Sequence, residues 1–398
     1  MLLSHQASGR SDRPRPAGDS GELTVVGAGP AGLAVAILAA KAGRKVVVHE
    51  RHRDVGSRFH GDFQGLENWS SEIDALDELR SLGIEPSFDA IPRREQVAFG
   101  PDGRRHTFRS ARPFYYLLRR GDGPGTLDRS LKEQALAAGV EIRFGDVVRH
   151  PPAGGVVAWG PRRADILAVG YLFETDLEDG SFAILDDRLA PGGYGYLLVH
   201  GGQATLATCL FSDFHNEARY LERTVEILAE KLGFAMRRPR RFGGVGNFHL
   251  LHPSPSGHIY WTGEAAGIQD ALWGFGIRYA LRSAQLAAAF DLDGDPESYH
   301  RAWEERIGGY LRTSLLNRYG CNLAGKWGYL WILRQLSRSR DPRRYLQRLY
   351  APALWKRALL PLVYRSLQRP KEKVRQDCCC RWCADLVTEA PVEAAVEA

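Results

Sequence analysis

The chain has 398 residues, of which 44% are hydrophobic and 25% are charged, and its formal net charge is +6. These values are ordinary for globular proteins, and the length suffices for two or three structural units with a sizeable core. No apolar run approaches the roughly 18 residues of a membrane-spanning helix. No signal peptide is evident, so we expect a cytoplasmic protein, soluble or bound peripherally at the cytoplasmic membrane face.

Residues 22–51 have the pattern of a dinucleotide-binding unit. An apolar run leads into Gly27-x-Gly29-x-x-Gly32, an Ala-rich helix and a second strand that ends on Glu50. The first glycine permits a tight turn, the second lets backbone approach a pyrophosphate, and the third allows close packing of helix on strand. The helix N-terminus attracts phosphates, and Glu50 can accept hydrogen bonds from ribose hydroxyls. A Gly-rich turn without a ligand is the alternative, but the agreement of all parts favours a dinucleotide site.

Later elements follow from periodicity and turn signals. Apolar residues at helical spacing predict helices, and β-branched runs between Gly, Pro and Asp predict strands. In chain order we expect a loop along the cofactor at 51–69, a helix at 70–82, a hairpin of 96–99 and 106–109, a helix at 126–138, a strand at 140–144, a short connector at 156–160, antiparallel strands within 166–211, helices at 217–232 and 277–290, and a helical region at 299–367.

The C-terminal region is basic and aromatic. From Arg312 to Arg375, sixteen Lys and Arg residues accompany two acids. Interleaved aromatics suit the headgroup boundary of an anionic membrane, and a solvated basic face is the alternative; nucleic acid is not expected. The aromatics in question are Trp327, Tyr329, Trp331, Tyr345, Tyr350, Trp355 and Tyr364.

Four cysteines lie near the C-terminus, at Cys378, Cys379, Cys380 and Cys383. A redox relay, a metal site, S-acylation or no function at all are open interpretations. No histidine is nearby, and no residues of the chain are assigned as metal ligands.

Three blocks together resemble FAD-dependent oxidoreductases of the glutathione-reductase-2, or p-hydroxybenzoate-hydroxylase-like, fold. The first is the glycine fingerprint with its terminal acid. The second is Arg119-Arg120 followed by Leu127-Asp128-Arg129-x-Leu131. The third is Gly263-Glu264-Ala-Ala-Gly267 with Gly274-Phe-Gly276-Ile277, similar to the family's G-D-A-A-G…G-x-G-I. In the family that acid binds the ribityl chain, and the following helix N-terminus faces the flavin, where N–H groups stabilise negative charge.

Within that superfamily the chain is most similar to geranylgeranyl reductases. Those enzymes carry Pro-Gly-Gly-Tyr-Gly-Trp-x-Phe-Pro, and the first five residues match Pro191-Gly192-Gly193-Tyr194-Gly195. The middle motif departs from the family at Ala158-Trp159-Gly160, and the proline of D-P-x-x-G-x-G is Ala271. The resemblance implies reduction of C=C bonds of an isoprenoid or other lipid-like substrate by reduced FAD. A flavin-dependent monooxygenase is the first alternative, and an electron-transfer flavoprotein is the second.

These arguments give an α/β fold with a Rossmann-like FAD-binding domain, an inserted antiparallel β-sheet substrate domain and a C-terminal helical region. The expected divisions are a disordered tail at 1–20, the discontinuous FAD domain at 21–90, 115–165 and 250–290, the substrate domain at 91–114 and 166–249, the basic helical region at 291–375, and the Cys cluster with an acidic tail at 376–398.

The site residues are predicted from the motifs and from strand alternation. His60 is a candidate proton donor, Tyr194 and Tyr196 are candidates to face the substrate, and each of the three has ordinary packing as its alternative. The expected cofactor-binding residues are Gly27, Gly29, Pro30, Ala31, Gly32, Glu50, Arg51, Arg119, Gly263, Glu264, Gly267, Gly274, Phe275, Gly276 and Ile277. Candidate electron donors are NAD(P)H and a reduced ferredoxin, and the expected partners are an apolar small molecule, an electron-donor protein and an anionic membrane surface met by 312–375.

Overall fold

The computed structural model describes residues 21–161, 164–248, 259–289 and 296–367; the predicted tail at 1–20 and the cysteine cluster lie outside them. The strands are β1 (Leu23–Val26), β2 (Val46–Glu50), β3 (Phe63–Glu67), β4 (Ala90–Arg93), β5 (Glu95–Phe99), β6 (Arg105–Arg109), β7 (Tyr115–Arg119), β8 (Glu141–Phe144), β9 (Val156–Val157), β10 (Ile166–Glu174), β11 (Gly180–Ile184), β12 (Tyr194–His200), β13 (Gln203–Leu210), β14 (Arg237–Gly246) and β15 (Tyr260–Trp261). The helices are α1 (Pro30–Lys41), α2 (Ala75–Ser81), α3 (Leu127–Ala137), α4 (Glu217–Leu232), α5 (Ile277–Ala289), α6 (Pro296–Trp303), α7 (Gly309–Ala324), α8 (Lys326–Arg338), α9 (Pro342–Tyr350) and α10 (Leu354–Leu367).

A parallel sheet with strand order β15-β9-β1-β2-β8 forms the first layer. Helix α1 packs between α3 and α5, and it is buried because its sequence is apolar on nearly every side. The predicted connector at 156–160 contains β9, which pairs with both β1 and β15. Two residues are too few to show a strand pattern, which is why the sequence did not reveal this central strand.

A seven-stranded sheet follows, in the order β14-β10-β13-β12-β11-β5-β6. Its strands run antiparallel except for the parallel pair of β11 and β5. The strands predicted within 166–211 and the hairpin at 96–109 are confirmed, as are the bounds of α4. Strand β14 was not predicted, because its Pro239 and run of arginines are unusual in a strand; both are tolerated at a sheet edge, where β14 lies.

A small sheet of β3, β7 and β4 lies beside the first two. The predicted loop at 51–69 is therefore wrong in part, since it contains β3. Gly65 in this strand makes room for another element: a Cβ on it would lie 2.2 Å from Cε1 of Phe275. The predicted helix at 70–82 is shorter in the structure, where α2 begins at Ala75 and Ile73 lies outside it and exposed.

In the C-terminal helical region α8 packs against β6, and α7 packs against α8, α9 and α10. Tyr329 and Tyr350, which the sequence assigned to a membrane boundary, are 2% and 1% exposed and belong to the core beside the seven-stranded sheet. Among the described residues, no helix is both long and apolar enough to cross a bilayer. The α/β fold class expected from the sequence is confirmed, whereas the domain boundaries stay predictions.

Candidate active site

A cavity of about 1180 Å³ lies between the parallel sheet and the seven-stranded sheet. Its wall includes Gly29 and Glu50 from the parallel sheet and Tyr196 and Leu198 from the seven-stranded sheet. The carboxyl ends of β1 and β2 reach it, which is where open α/β sheets bind ligands. The volume exceeds the roughly 300–1,000 Å³ of common ligand pockets, so a dinucleotide and a second molecule could share it.

Three glycines shape the turn from β1 into α1, and two of them, Gly27 and Gly29, line the cavity. Gly27 has φ +107°, and a Cβ on it would lie 2.6 Å from the carbonyl oxygen of Ala158. A Cβ on Gly32 would lie 1.9 Å from the carbonyl oxygen of Gly27, so α1 packs on β1 at a distance only glycine allows. A Cβ on Gly29 would meet no atom within 4 Å, because the space beside it is open cavity.

Glu50 is held in place at the end of β2. Its carboxylate accepts the N–H groups of Ala28 at 2.8 Å and His52 at 2.9 Å, one on each oxygen. The side chain of Glu50 is buried and lines the cavity. Arg51 lines the cavity as well. Each carboxylate oxygen keeps a second lone pair, which could accept a ribose hydroxyl.

The third sequence block meets the first across the cavity. Gly263 has φ +60°, and a Cβ on it would lie 2.7 Å from Cβ of Ala31. Glu264 lines the cavity, with an oxygen 3.4 Å from the guanidinium of Arg58. Gly267 ends this turn with φ +71° and lies outside the cavity wall. Residues far apart in the chain thus form one rim.

The turn before α5 is organised by a buried carboxylate. Asp270 accepts the N–H groups of Leu272 at 3.0 Å and Trp273 at 2.8 Å, and the hydroxyl of Tyr350 donates to it at 2.8 Å. Burial raises the pKa of Asp270. Ala271, where the family has proline, donates its N–H to Ser314 Oγ at 3.0 Å, a bond that proline could not make.

Arg318 on α7 joins that turn to the predicted substrate strands. Its Nε donates to the carbonyl oxygen of Ala271 at 2.9 Å, and its other nitrogens donate to the carbonyls of Gly192 and Leu272. The guanidinium carbon lies 3.9 Å from the centre of the Phe211 ring. The helical region is therefore part of the framework that holds the site.

The predicted Arg119 lies outside the cavity wall, and its neighbour Arg120 lines it instead. Arg119 is half-exposed and pairs with Asp89. Arg120 is buried and donates to both oxygens of Asp128 at 2.8 Å and to Gln64 Oε1 at 2.9 Å. Successive side chains at a strand end face opposite ways, so only one of two adjacent arginines can face the cavity.

The predicted proton donor His60 is exposed and does not line the cavity. Asp62, two residues later, does line it and is 3% exposed. Its carboxyl accepts the N–H of His60 at 3.1 Å and Gln64 Nε2–H at 3.0 Å. Burial raises the pKa of Asp62 and so favours its protonated form, although the charge of nearby Arg120 acts in the opposite direction.

Tyr194 and Tyr196 both line the cavity, as strand alternation predicts. Their rings are 6.2 Å apart, and burial raises the pKa of each hydroxyl well above its usual value. Tyr194 donates its hydroxyl to the carbonyl of Trp273, so it fastens the sheet to the turn before α5. Cys209 also lines the wall, and burial raises the pKa of its thiol to about 12, which favours the neutral thiol over the thiolate.

Comparisons with known proteins agree with this geometry. A family model described as an NAD(P)-binding Rossmann-like domain matches residues 25–63. Digeranylgeranylglycerophospholipid reductase of Methanocaldococcus jannaschii is 23% identical over 354 residues, covering 76% of this chain and 87% of the relative. A second reductase of that name, from Methanopyrus kandleri, is 23% identical over 344 residues, covering 74% and 85%.

Solved structures show the same architecture. A geranylgeranyl bacteriochlorophyll reductase-like protein from Thermoplasma acidophilum has a TM-score of 0.63 at 18% identity, covering 87% of this chain and 99% of that one. The flavin-dependent brominase Bmp2 has a TM-score of 0.62 at 16% identity, covering 87% and 98%. The chain has the fold of flavin-dependent oxidoreductases. The predicted resemblance to geranylgeranyl reductases is confirmed, and together these relatives support an FAD-dependent oxidoreductase.

In this flavin-dependent fold, most of the predicted cofactor residues line the same cavity. All of the fifteen except Gly32, Arg119 and Gly267 line the cavity. The open space beside Gly29 and the uncapped N-terminus of α1 fit a pyrophosphate, and the acid at the end of β2 fits a ribose. The described residues therefore fit FAD; their assignment as ligands stays a prediction.

Replacing Gly29 by alanine is expected to weaken FAD binding at least about tenfold, equivalent to about 1.4 kcal/mol. The new methyl group would occupy open cavity space without touching protein, and alanine is a poorer N-cap than glycine, so the free energy of unfolding of the apoprotein should fall by no more than about 1 kcal/mol. Titration of apoprotein with FAD and urea unfolding measure the two effects. Gly320→Ala, exposed on α7 with equal room for a Cβ, is the matched control. Unchanged FAD affinity in Gly29→Ala would contradict the predicted pyrophosphate position.

Proposed function

We propose that this chain is an FAD-dependent oxidoreductase that reduces C=C bonds of an isoprenoid or other lipid-like substrate. The observation that carries this proposal is the continuity of the cavity from the dinucleotide motif into an apolar chamber. The chamber wall includes Phe182, Leu185, Leu198, Leu333 and Leu336. The names of the two reductase relatives, digeranylgeranylglycerophospholipid reductases, support a substrate of this class.

The chain's own residues would bind, orient and protonate the substrate. The apolar wall would hold the alkene and exclude water, which favours a fixed approach to the cofactor. When bound, reduced FAD would supply a hydride equivalent to one alkene carbon. Asp62, whose pKa is raised by burial, would give a proton to the other carbon when protonated and recover it from solvent. NAD(P)H or a reduced ferredoxin would restore the reduced cofactor.

The experiment is an anaerobic single turnover. Protein loaded with FAD is reduced chemically, then mixed with a geranylgeranyl lipid, and flavin absorbance is followed while the product mass is recorded. We expect the lipid to accelerate flavin reoxidation and the product to gain two hydrogen atoms. A saturated isoprenoid of the same length is the matched control and should have no effect.

A flavin-dependent monooxygenase is the second candidate, favoured by the fold shared with the brominase. It predicts rapid reoxidation in air and a product that gains oxygen, and that outcome would overturn the reductase proposal. Reoxidation that no small molecule accelerates, in air or without it, would also overturn it and would indicate an electron-transfer flavoprotein.

A further inference from the structure

Helix α8 has two different faces. Tyr329, Ile332, Leu333 and Leu336 are buried, and the two leucines line the cavity. On the opposite face, Trp327 is 64% and Trp331 is 54% exposed. Exposed tryptophans of this size are unusual on a protein surface, and two of them one helical turn apart indicate a binding surface.

The exposed face is also positively charged. Trp327, Trp331, Arg334 and Arg338 follow one another at intervals of four, three and four residues, so they form one stripe along the helix. Lys326 Nζ lies 5.2 Å from the centre of the Trp327 ring. No Asp or Glu occurs in α7 or α8, so the stripe has no acid on its own helix pair.

We propose that this tryptophan–arginine stripe binds the surface of an anionic lipid bilayer. Tryptophan prefers the headgroup level, where its apolar ring is buried and its N–H stays hydrated. The flanking Lys and Arg side chains attract anionic headgroups, and the long aliphatic part of each side chain lets its charged group reach the headgroups. Helix α10 packs against α7, which in turn packs against α8, and it presents further exposed apolar side chains: Leu354, Trp355, Leu359 and Leu362.

A second copy of the chain fits this surface less well. A symmetric dimer places the same patch against itself, so the cationic patch that contains Lys326, Arg334 and Arg338 would face a second cationic patch. Like charges in contact are unfavourable, whereas an anionic bilayer complements all three. The charge pattern therefore favours lipid.

The position of α8 connects this surface to the chamber. One face of the helix would rest on lipid while Leu333 and Leu336, on the other, line the cavity. If the chamber binds a lipid-like substrate, which rests on the proposed function, the substrate would travel only the thickness of a helix, about 10 Å, from bilayer to cavity. Vesicle binding itself requires no turnover, so it can be tested separately.

The test is flotation of the full FAD-loaded chain with vesicles of phosphatidylcholine alone or with added phosphatidylglycerol. We expect binding to the anionic vesicles to be at least about tenfold tighter and to weaken at high salt. Trp327→Ala combined with Trp331→Ala should weaken it at least about tenfold. The matched control replaces two exposed apolar residues elsewhere, Ile73→Ala with Leu136→Ala, and should bind like wild type.

Circular dichroism and flavin content verify that each variant is folded. No flotation with anionic vesicles, or flotation that the tryptophan double variant leaves unchanged, would overturn the proposal. Self-association that the same double variant abolishes, in a chain that does not float, would assign the stripe to a second copy instead.

Discussion

Asp62→Asn is expected to slow the anaerobic reoxidation of reduced flavin by the alkene about 10²- to 10⁴-fold, the usual contribution of a general acid. Asparagine keeps the size of the side chain and one acceptor oxygen for the N–H of His60, but its NH2 group cannot accept from Gln64, and it has no acidic proton to give. Stopped-flow absorbance under anaerobic conditions measures the rate. The apparent Kd for the lipid should change little, since the carboxyl acts on the reacting carbon and not on the apolar chain.

His60→Asn is the matched control, because the ring is exposed and lies outside the cavity wall. We expect its rate to stay within about twofold of wild type. A large loss of rate in His60→Asn, together with an active Asp62→Asn, would identify His60 rather than Asp62 as the proton donor. Asp62→Glu, which keeps the carboxyl, should recover part of the rate.

The pH dependence separates a proton donor from a structural group. Because burial raises the pKa of Asp62, the wild-type rate should fall only as pH rises through that raised value, and Asp62→Asn should lose this dependence.

The folded state also holds this proton more tightly than the unfolded chain, in which the usual pKa of the carboxyl is 3.8. The free energy of unfolding contributed by Asp62 is therefore present below that value and lost as pH rises through the folded-state pKa.

Local sequence patterns were enough to predict the tight turn from β1 into α1 at the cavity. Gly27, Gly29 and Gly32 have fixed spacing within one turn, and the chemistry of that turn does not depend on distant residues. The two tyrosines of β12 were also predictable, since alternation along a strand decides which side chains share a face. In each case the deciding geometry lies within a few residues.

Contacts between distant elements could not be predicted in the same way. No local pattern marks Asp62 among the loop acids; it is distinguished by being buried on the cavity wall, and burial of that kind is a tertiary property. Arg318 looks like one more cation of a basic helix until its carbonyl partners are known. The spacing of aromatic residues along a helix is the same whether that face of the helix contacts lipid or the protein core. Tyr329 and Tyr350 were therefore assigned to a membrane-facing surface, although both are buried in the core.

Breaking the buried ion pair of Arg120 and Asp128 is expected to lower the free energy of unfolding by about 3–5 kcal/mol. In Asp128→Ala the guanidinium of Arg120, 6% exposed, loses both 2.8 Å bonds and keeps the one to Gln64. An uncompensated charge inside the protein costs more than the pair itself contributes. Guanidinium unfolding of the apoprotein, followed by circular dichroism, measures the loss.

Asp89→Ala is the matched control, since it removes the carboxylate that pairs with exposed Arg119 and should cost no more than about 1 kcal/mol. Equal losses in the two variants would contradict the assignment of Arg120 to the interior.

Arg120→Met tests the link to catalysis. Because the charge of Arg120 lowers the pKa of Asp62, its removal should raise that pKa further and move the fall in rate to higher pH. The same substitution at Arg119 should leave the pH profile where it is.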